Sequence, residues 1–167
     1  VQLDSFTLTV PPPLALTLSP TNVSCNGLFD GEIESIVSGG TVNYYYSWSN
    51  GDSVAMATGL IANTYTLTVT DASGCTITKD TIIIEPAPIV TTTNAVDATC
   101  YSYNDGQASV TVISGGTNPF NYSWNGVGNF NTSGNAALNM LAGEYSVESI
   151  DDNGCSVIDT ITILEPD

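Results

Sequence analysis

The four cysteines are the residues best suited to chemistry, because the sequence has no histidine and no arginine. Four cysteines allow three connectivities. The chain is a tandem repeat, and pairing within each copy would let that copy fold without its neighbour. We therefore predict two disulfides, Cys25–Cys75 and Cys100–Cys155, and with them an oxidising compartment outside the cytoplasm. Zinc is the competing interpretation, but two thiols per copy without CxxC or histidine fall short of four ligands.

Catalytic side chains are scarce. Without histidine, neither a Ser-His-Asp nor a Cys-His arrangement can form. Lys79 is the one basic residue, and its context TITKDT predicts an exposed strand position beside Asp80 rather than a catalytic amine. Two carboxylates could still hydrolyse a glycoside, but the sequence singles out no such pair. We therefore predict no enzymatic activity.

The charge of the chain limits its partners. Seventeen acidic residues against one basic residue give a formal net charge of −16. Nucleic acids and anionic membrane surfaces would be repelled. The longest aliphatic run, residues 82–84, is far shorter than the roughly 20 residues that span a bilayer. We expect no nucleic-acid partner and no membrane insertion. Since the first residues do not resemble a signal peptide, we interpret the chain as a mature fragment of a longer protein.

An internal repeat organises the chain. The stretch CNGLFDGEIESIVSGG lies over CYSYNDGQASVTVISGG, and NTYTLTVTDASGC lies over GEYSVESIDDNGC. We place the two copies at residues 14–87 and 88–167. The residues that recur include Cys25 at Cys100, Gly39-Gly40 at Gly115-Gly116, Trp48 at Trp124, Tyr65 at Tyr145, Asp71 at Asp151, Gly74-Cys75 at Gly154-Cys155, and Glu85-Pro86 at Glu165-Pro166.

The first thirteen residues, VQLDSFTLTVPPP, align with SVIDTITILEP near the other end of the chain. We interpret residues 1–13 as the last strand and linker of a preceding copy. The stretches VPPPLAL and EPAPIV join the copies, and proline fixes φ and favours extended backbone. We expect these joints to be stiff.

Each copy is predicted to be all-β. Runs such as ALTL, GEIESIV, TYTLTVT and TIIIE alternate or are β-branched, and Gly, Asn, Asp and Pro bound them. Six to eight short strands in so few residues favour tandem β-sandwiches of the immunoglobulin-like kind.

The aromatic stretch GGTVNYYYSWSNG could form either an exposed platform for a ligand or part of a core. Side chains alternate between the two faces of a strand, and TVNYYYSW pairs with TNPFNYSW in the second copy. Tyr45 falls on Asn121 and is predicted to be exposed. The positions that stay aromatic share one face, which we predict to be core: Tyr44, Tyr46, Trp48, Phe120, Tyr122 and Trp124.

Acidic residues precede the Gly-Cys pair in both copies. Asp71, Asp151 and Asp152 stand where Asx side chains fold back on the backbone of a turn. Calcium needs six to eight oxygens, and no D-x-D-x-D-G loop is present, although Asp30 or Asp105 could approach from another loop. We predict structural turns without a cofactor, with a calcium site as the alternative.

The combined pattern C-x4-DG, GG-x7-W, Y-x5-D-x2-GC and EP resembles the SprB repeat of Bacteroidetes cell-surface adhesins. The resemblance covers both copies, although the first has GTVNYYY where the usual pattern has a proline before the aromatic residue. It implies a very large protein that is exported by the type IX secretion system and displayed on the cell surface. Such proteins include the mobile adhesin of gliding bacteria, and the family supplies no catalytic residues.

We expect this chain to be a stalk segment of such an adhesin, with neighbouring repeats as its partners and an extracellular surface or polysaccharide as a further one. A carbohydrate-binding module is an alternative, for which Tyr45, Tyr101, Tyr103 and Phe130 would have to form a flat exposed cluster in one copy. An accessory domain of a secreted multidomain enzyme is the other alternative.

Overall fold

The computed structural model describes residues 10–167, and the chain divides into two compact units. The first unit takes the chain up to Val23 and then Gly27–Glu85, and the second takes Ser24–Asn26 and Pro86–Asp167. Residues 1–13 are predicted to be the last strand and linker of a preceding copy, and residues 1–9 of this segment lie outside the described part of the chain. The described residues contain no helix long and apolar enough to cross a membrane.

The first unit is a sandwich of two antiparallel three-stranded sheets. One sheet has the order β1-β2-β4, and the other has the order β3-β5-β6. The strands are β1 (Ala15–Thr21), β2 (Gly31–Ser38), β3 (Tyr45–Trp48), β4 (Met56–Leu60), β5 (Asn63–Thr70) and β6 (Thr76–Ile83).

The second unit repeats this plan with one strand more. Its sheets have the orders β7-β8-β11 and β10-β9-β12-β13. The extra edge strand β10 comes from VGNFNTSGN, where the second copy is longer than the first, and a 3₁₀ turn at Val127–Asn129 leads into it. The strands are β7 (Val90–Val96), β8 (Gly106–Ser114), β9 (Asn121–Gly126), β10 (Phe130–Ser133), β11 (Ala136–Met140), β12 (Gly143–Ile150) and β13 (Ser156–Ile163).

The strand order is that of an immunoglobulin-like sandwich. In the first unit, β1, β2 and β4 correspond to strands A, B and E of that fold, and β3, β5 and β6 correspond to C, F and G. In the second unit, β7, β8 and β11 correspond to A, B and E, and β9, β12 and β13 correspond to C, F and G. The prediction of tandem all-β, immunoglobulin-like sandwiches is therefore confirmed. The single disulfide that was predicted within each copy is not confirmed.

Alternating residues of the strands fill the two cores. Along β5, Tyr65, Leu67 and Val69 point inward, and Tyr145, Val147 and Ser149 take the corresponding buried positions on β12. The tryptophans of the C strands are 3% and 0% exposed, and each buried indole N–H donates to a backbone carbonyl, Trp48 to Val54 and Trp124 to Gly134, both at 2.8 Å. These bonds satisfy the one polar group that each ring takes into the core.

Each sandwich also contains a tyrosine corner, the contact that ties strand F to the preceding loop. The hydroxyl of Tyr65 donates to the Ile61 carbonyl at 3.1 Å, and that of Tyr145 donates to the Leu141 carbonyl at 2.9 Å. The Tyr145 ring also meets Phe130 edge to face, with 5.3 Å between centroids. Burial raises the pKa of Tyr145, so its hydroxyl keeps its proton and remains a donor at physiological pH.

Replacing Tyr145 by Phe should destabilise the second unit by about 1–3 kcal/mol, because the Leu141 carbonyl loses its donor. Chemical denaturation followed by tryptophan fluorescence measures the change. Tyr45→Phe, at an exposed tyrosine, is the matched control and should leave the transition in place. Equal effects of the two substitutions would contradict a structural role for the corner.

Candidate functional site

The candidate functional site consists of the cysteine-bearing segments of the two repeats. The structure joins Cys25 to Cys155, with an S–S distance of 2.11 Å and a Cα–Cα distance of 5.5 Å. Cys75 and Cys100 are free and exposed. Both pairs predicted within a repeat, Cys25–Cys75 and Cys100–Cys155, are therefore wrong. The bond instead connects a cysteine of the first repeat to a cysteine of the second, and both lie in the second compact unit.

The reason lies in the way each repeat holds its first cysteine, here named the loop cysteine (Cys25 and Cys100). Next to Cys25, Val23 N–H donates to the Ile84 carbonyl at 3.1 Å, and Gly27 N–H donates to a Glu85 carboxylate oxygen at 2.8 Å. Residues 84 and 85 directly follow β6. The loop cysteine therefore lies at the end of the last strand.

The second cysteine, here named the turn cysteine (Cys75 and Cys155), lies at the start of the same strand. Cys75 directly precedes β6, which has eight residues and so spans about 26 Å. A disulfide requires Cα atoms within about 7 Å. The two cysteines of one repeat are therefore too far apart to pair, whereas the loop cysteine of one repeat and the turn cysteine of the next can do so.

The second repeat holds its loop cysteine in the same way. Ala98 N–H donates to the Leu164 carbonyl at 2.9 Å, and Ser102 N–H donates to Glu165 at 2.7 Å. Leu164 N–H in turn donates to Asp97, as Ile84 N–H does to Asn22 in the first repeat. The recurring Glu-Pro motif thus supplies the carboxylate that fixes the cysteine loop, a role that the sequence analysis missed although the motif was visible.

An aspartate builds each turn that carries a turn cysteine. One oxygen of Asp71 accepts the N–H groups of Ser73 and Cys75, both at 2.9 Å, and the other accepts Thr41 N–H at 2.9 Å. Gly74 takes a positive φ of 84° to close the turn. This carboxylate therefore connects the F–G turn to the B–C loop of its own sandwich.

The same arrangement recurs in the second repeat. Asp151 accepts from Asn153 at 3.0 Å and from Cys155 at 2.8 Å with one oxygen, and from Thr117 at 2.9 Å with the other. These contacts favour the structural turn over the calcium alternative. In the described part of the chain, no group of three or more Cys, Asp or Glu side chains lies close enough to hold a metal ion. Asp152 is exposed.

Asp30 and Asp105, the other carboxylates considered for calcium, follow the loop cysteines. Asp105 accepts from the backbone N–H of Thr99 at 3.0 Å and from its hydroxyl, and the hydroxyl contact chiefly lowers the pKa of Asp105. Asp105 therefore holds the loop of Cys100 from its other side.

The Gly-Gly pairs seat the proline linkers, a role that the sequence did not reveal. Gly39 and Gly115 have a φ of 74°, and a Cβ on either would lie 2.0 Å from a proline carbonyl oxygen, of Pro13 and of Pro88 respectively. Gly40 N–H donates to the Pro12 carbonyl at 2.7 Å. Any side chain at the first glycine would push the linker off its sandwich.

The aromatic stretch divides between core and surface. Tyr45 is 68% exposed. Tyr44 donates its hydroxyl to the Gly39 carbonyl at 2.6 Å. Tyr44, Tyr46 and Tyr122 are partly buried against the cores around Trp48 and Trp124, and the Phe120 ring lies 6.5 Å from that of Tyr122.

The residues proposed for sugar stacking do not share one environment. Tyr101 and Tyr103 are exposed in the loop after Cys100, but Phe130 is partly buried against the core beside Tyr145. The Lys79 ammonium lies 3.5 Å from the Leu16 carbonyl oxygen, a contact within its own sandwich.

Comparisons with known proteins agree with the repeat. The family model described as "SprB repeat" matches residues 17–53 and 92–129. No curated protein matches the chain significantly.

Three solved structures are similar at low identity. An amphioxus IgVJ-C2 molecule is 13% identical over 87% of this chain and 95% of that one, with a TM-score of 0.37. A structure on Dscam isoform specificity is 12% identical (TM-score 0.36), and the N-terminal four Ig domains of Dscam1 isoform 6.44 are 13% identical (TM-score 0.37). They match over 91% and 92% of this chain, which spans 47% of each of them. The immunoglobulin-like assignment rests on the strand order and the tyrosine corners.

Acidification should lower the stability of the first unit, because it protonates the Asp71 carboxylate. The Thr41 N–H lowers the pKa of Asp71 most, burial opposes it, and the N–H groups of Cys75 and Ser73 lower it further. A carboxylate with a lowered folded pKa contributes stability above its unfolded pKa, near 3.8, and loses it as pH falls through the folded value. Stability should therefore fall below about pH 4.

Calorimetry of Asp71→Asn tests this expectation. The substitution places an amide donor opposite the Thr41 N–H, so it should lower Tm at pH 7 and flatten the acid dependence. Asp80→Asn, at an exposed strand position, is the matched control and should preserve both. Identical acid profiles for the two variants would contradict the assigned role of Asp71.

Proposed function

We propose that this chain, which carries two tandem SprB repeats, is a non-enzymatic stalk segment of a large secreted bacterial adhesin that serves surface adhesion and gliding. The SprB repeat is associated with cell-surface proteins, and the fold fits the repeat region of such a protein. The observation that carries the proposal is the Cys25–Cys155 disulfide, because it links two successive repeats by a second covalent bond through which tension can pass.

The disulfide changes the path that tension takes through the chain. A pull applied beyond both cysteines passes from Cys25 to Cys155 through the sulfur atoms and bypasses the chain between them, a separation of 130 positions. That segment would otherwise lengthen to about 450 Å when fully extended. Unfolding of the strands inside the ring would therefore add little length, which suits a filament that transmits traction.

The charge and the joints support the same role. A formal charge of −16 makes neighbouring filaments repel each other, which opposes tangling and aggregation. The prolines before each sandwich are seated on its Gly-Gly pair. Contact with a surface or a polysaccharide can then be shared among many repeats, since weak contacts add through avidity.

Single-molecule stretching should show a ring that limits extension. The oxidised chain, held at its two ends, should lengthen only by the residues outside the ring, and a reductant should release about 450 Å more. Cys25→Ser should behave like the reduced chain. Cys75→Ser, which removes an exposed free thiol, is the matched control and should keep the limit. Full extension of the oxidised chain would contradict the proposal that the Cys25–Cys155 disulfide carries the tension.

Labelling of cells tests the location and the movement. An antibody raised against the recombinant chain should label intact cells of the source bacterium, and external protease should remove the label. Beads coated with that antibody should travel along the cell surface. Labelling only after permeabilisation would overturn the surface assignment, and beads that stay fixed on labelled cells would overturn the role in gliding.

A further inference from the structure

We propose that Cys75 and Cys100 are half-cystines for adjoining repeats of the same kind. Cys100 would pair with the turn cysteine of a repeat that follows, and Cys75 with the loop cysteine of a repeat that precedes. This inference rests on one part of the proposed function, that the chain lies in a longer array of such repeats. It depends on neither adhesion nor gliding.

The bonded pair supplies the rule. Cys25 is the loop cysteine of the first repeat, and Cys155 is the turn cysteine of the second. A repeat therefore bonds its loop cysteine to the turn cysteine of the repeat after it. Under this rule, the two cysteines left over in a two-repeat chain are the loop cysteine of the last repeat and the turn cysteine of the first. These are Cys100 and Cys75, the two that are free.

The loop of Cys100 has the form that serves disulfide bonding at Cys25. Glu165 holds Ser102 N–H at 2.7 Å, as Glu85 holds Gly27 N–H at 2.8 Å. Ser102 has a φ of 60°, close to the 77° of Gly27, although serine rarely takes a positive φ. The second repeat thus keeps the loop conformation even where its sequence disfavours it.

The turn of Cys75 has the form that serves disulfide bonding at Cys155. The N–H groups of Cys75 and Cys155 donate to the aspartate of their turns at 2.9 and 2.8 Å. The glycines before them, Gly74 and Gly154, have the same φ of 84°. Both free thiols are thus held in a bonding-competent backbone, and both are exposed.

These thiols cannot pair within their own repeats, because the loop cysteine and the turn cysteine of a repeat lie at opposite ends of its last strand. Bonding to an adjoining repeat is a two-electron oxidation. Two thiols lose their protons, one S–S bond forms, and a small-molecule disulfide such as oxidised glutathione takes up the electrons and protons as two thiols.

The resulting array would consist of overlapping rings. Cys100 lies inside the segment between Cys25 and Cys155, so the ring to a following repeat would begin before the first ring ends. Every repeat inside the array would then lie in two rings. Loss of one disulfide would leave the remaining ring to limit extension.

A three-repeat chain tests the proposal. It consists of residues 1–166 followed by a second copy of residues 87–167, which reproduces the joint Glu85-Pro86-Ala87-Pro88. After refolding with oxidised and reduced glutathione, alkylation and non-reducing peptide mapping identify the bonds. We expect two disulfides, Cys25–Cys155 and Cys100 to the added copy of Cys155. Free thiols should number two, as in the two-repeat chain.

Two variants keep the outcome interpretable. Cys100→Ser in the central repeat should leave three alkylated thiols, with the added copy of Cys155 among them. The same substitution in the two-repeat chain should leave its Tm unchanged, since Cys100 is exposed and unpaired there, which controls for folding. Four free thiols in the folded three-repeat chain, or pairing of Cys100 with any other cysteine, would overturn the proposal. Neither result would bear on adhesion or gliding.

Discussion

The contact between the carboxylate that follows the last strand of each repeat and the cysteine loop determines much else in this molecule. Glu85 and Glu165 each accept a backbone N–H two residues after a loop cysteine, at 2.8 and 2.7 Å. This contact fixes the loop cysteine at the end of strand G, whereas the turn cysteine precedes that strand. Because strand G has eight residues in both repeats and so spans about 26 Å, a repeat cannot close its own disulfide. The disulfide that the described residues do form joins cysteines of successive repeats.

The interior of each sandwich needs no disulfide. In many immunoglobulin domains a disulfide joins strands B and F, and its cysteine on strand F lies two residues after the corner tyrosine. Here Leu67 and Val147 occupy that position on strand F, and both are fully buried. Aliphatic packing around Trp48 and Trp124 and the hydroxyls of the tyrosine corners hold the two sheets together. The cysteines lie instead in the segments at the two ends of strand G, outside the cores.

The fold was largely predictable from the sequence, because strand formation depends on local patterns. The alternation in TYTLTVT, the turn residues and the recurrence of the same motifs in both copies sufficed to predict all-β tandem sandwiches. The longer VGNFNTSGN of the second copy shows no such alternation, yet it forms the edge strand β10, which pairs with β9 across the turn at Val127–Asn129. The Gly-Gly pairs were visible as a motif, but only the close approach of Pro13 and Pro88 explains them.

The sequence by itself determined the class of the domain, the repeat, the acidic surface and the absence of histidine chemistry, because these follow from composition and short-range periodicity. Only the tertiary structure decided which cysteines pair. Spacings of 50 and 55 positions suggested two equivalent rings, but a spacing does not say at which end of a sandwich each residue lies. That placement depends on the direction of strand G and on long-range contacts, from Glu85 back to Gly27 and from Asp71 back to Thr41. It sets the two cysteines of a repeat at opposite ends of a strand that spans about 26 Å, and the bond joins successive repeats instead.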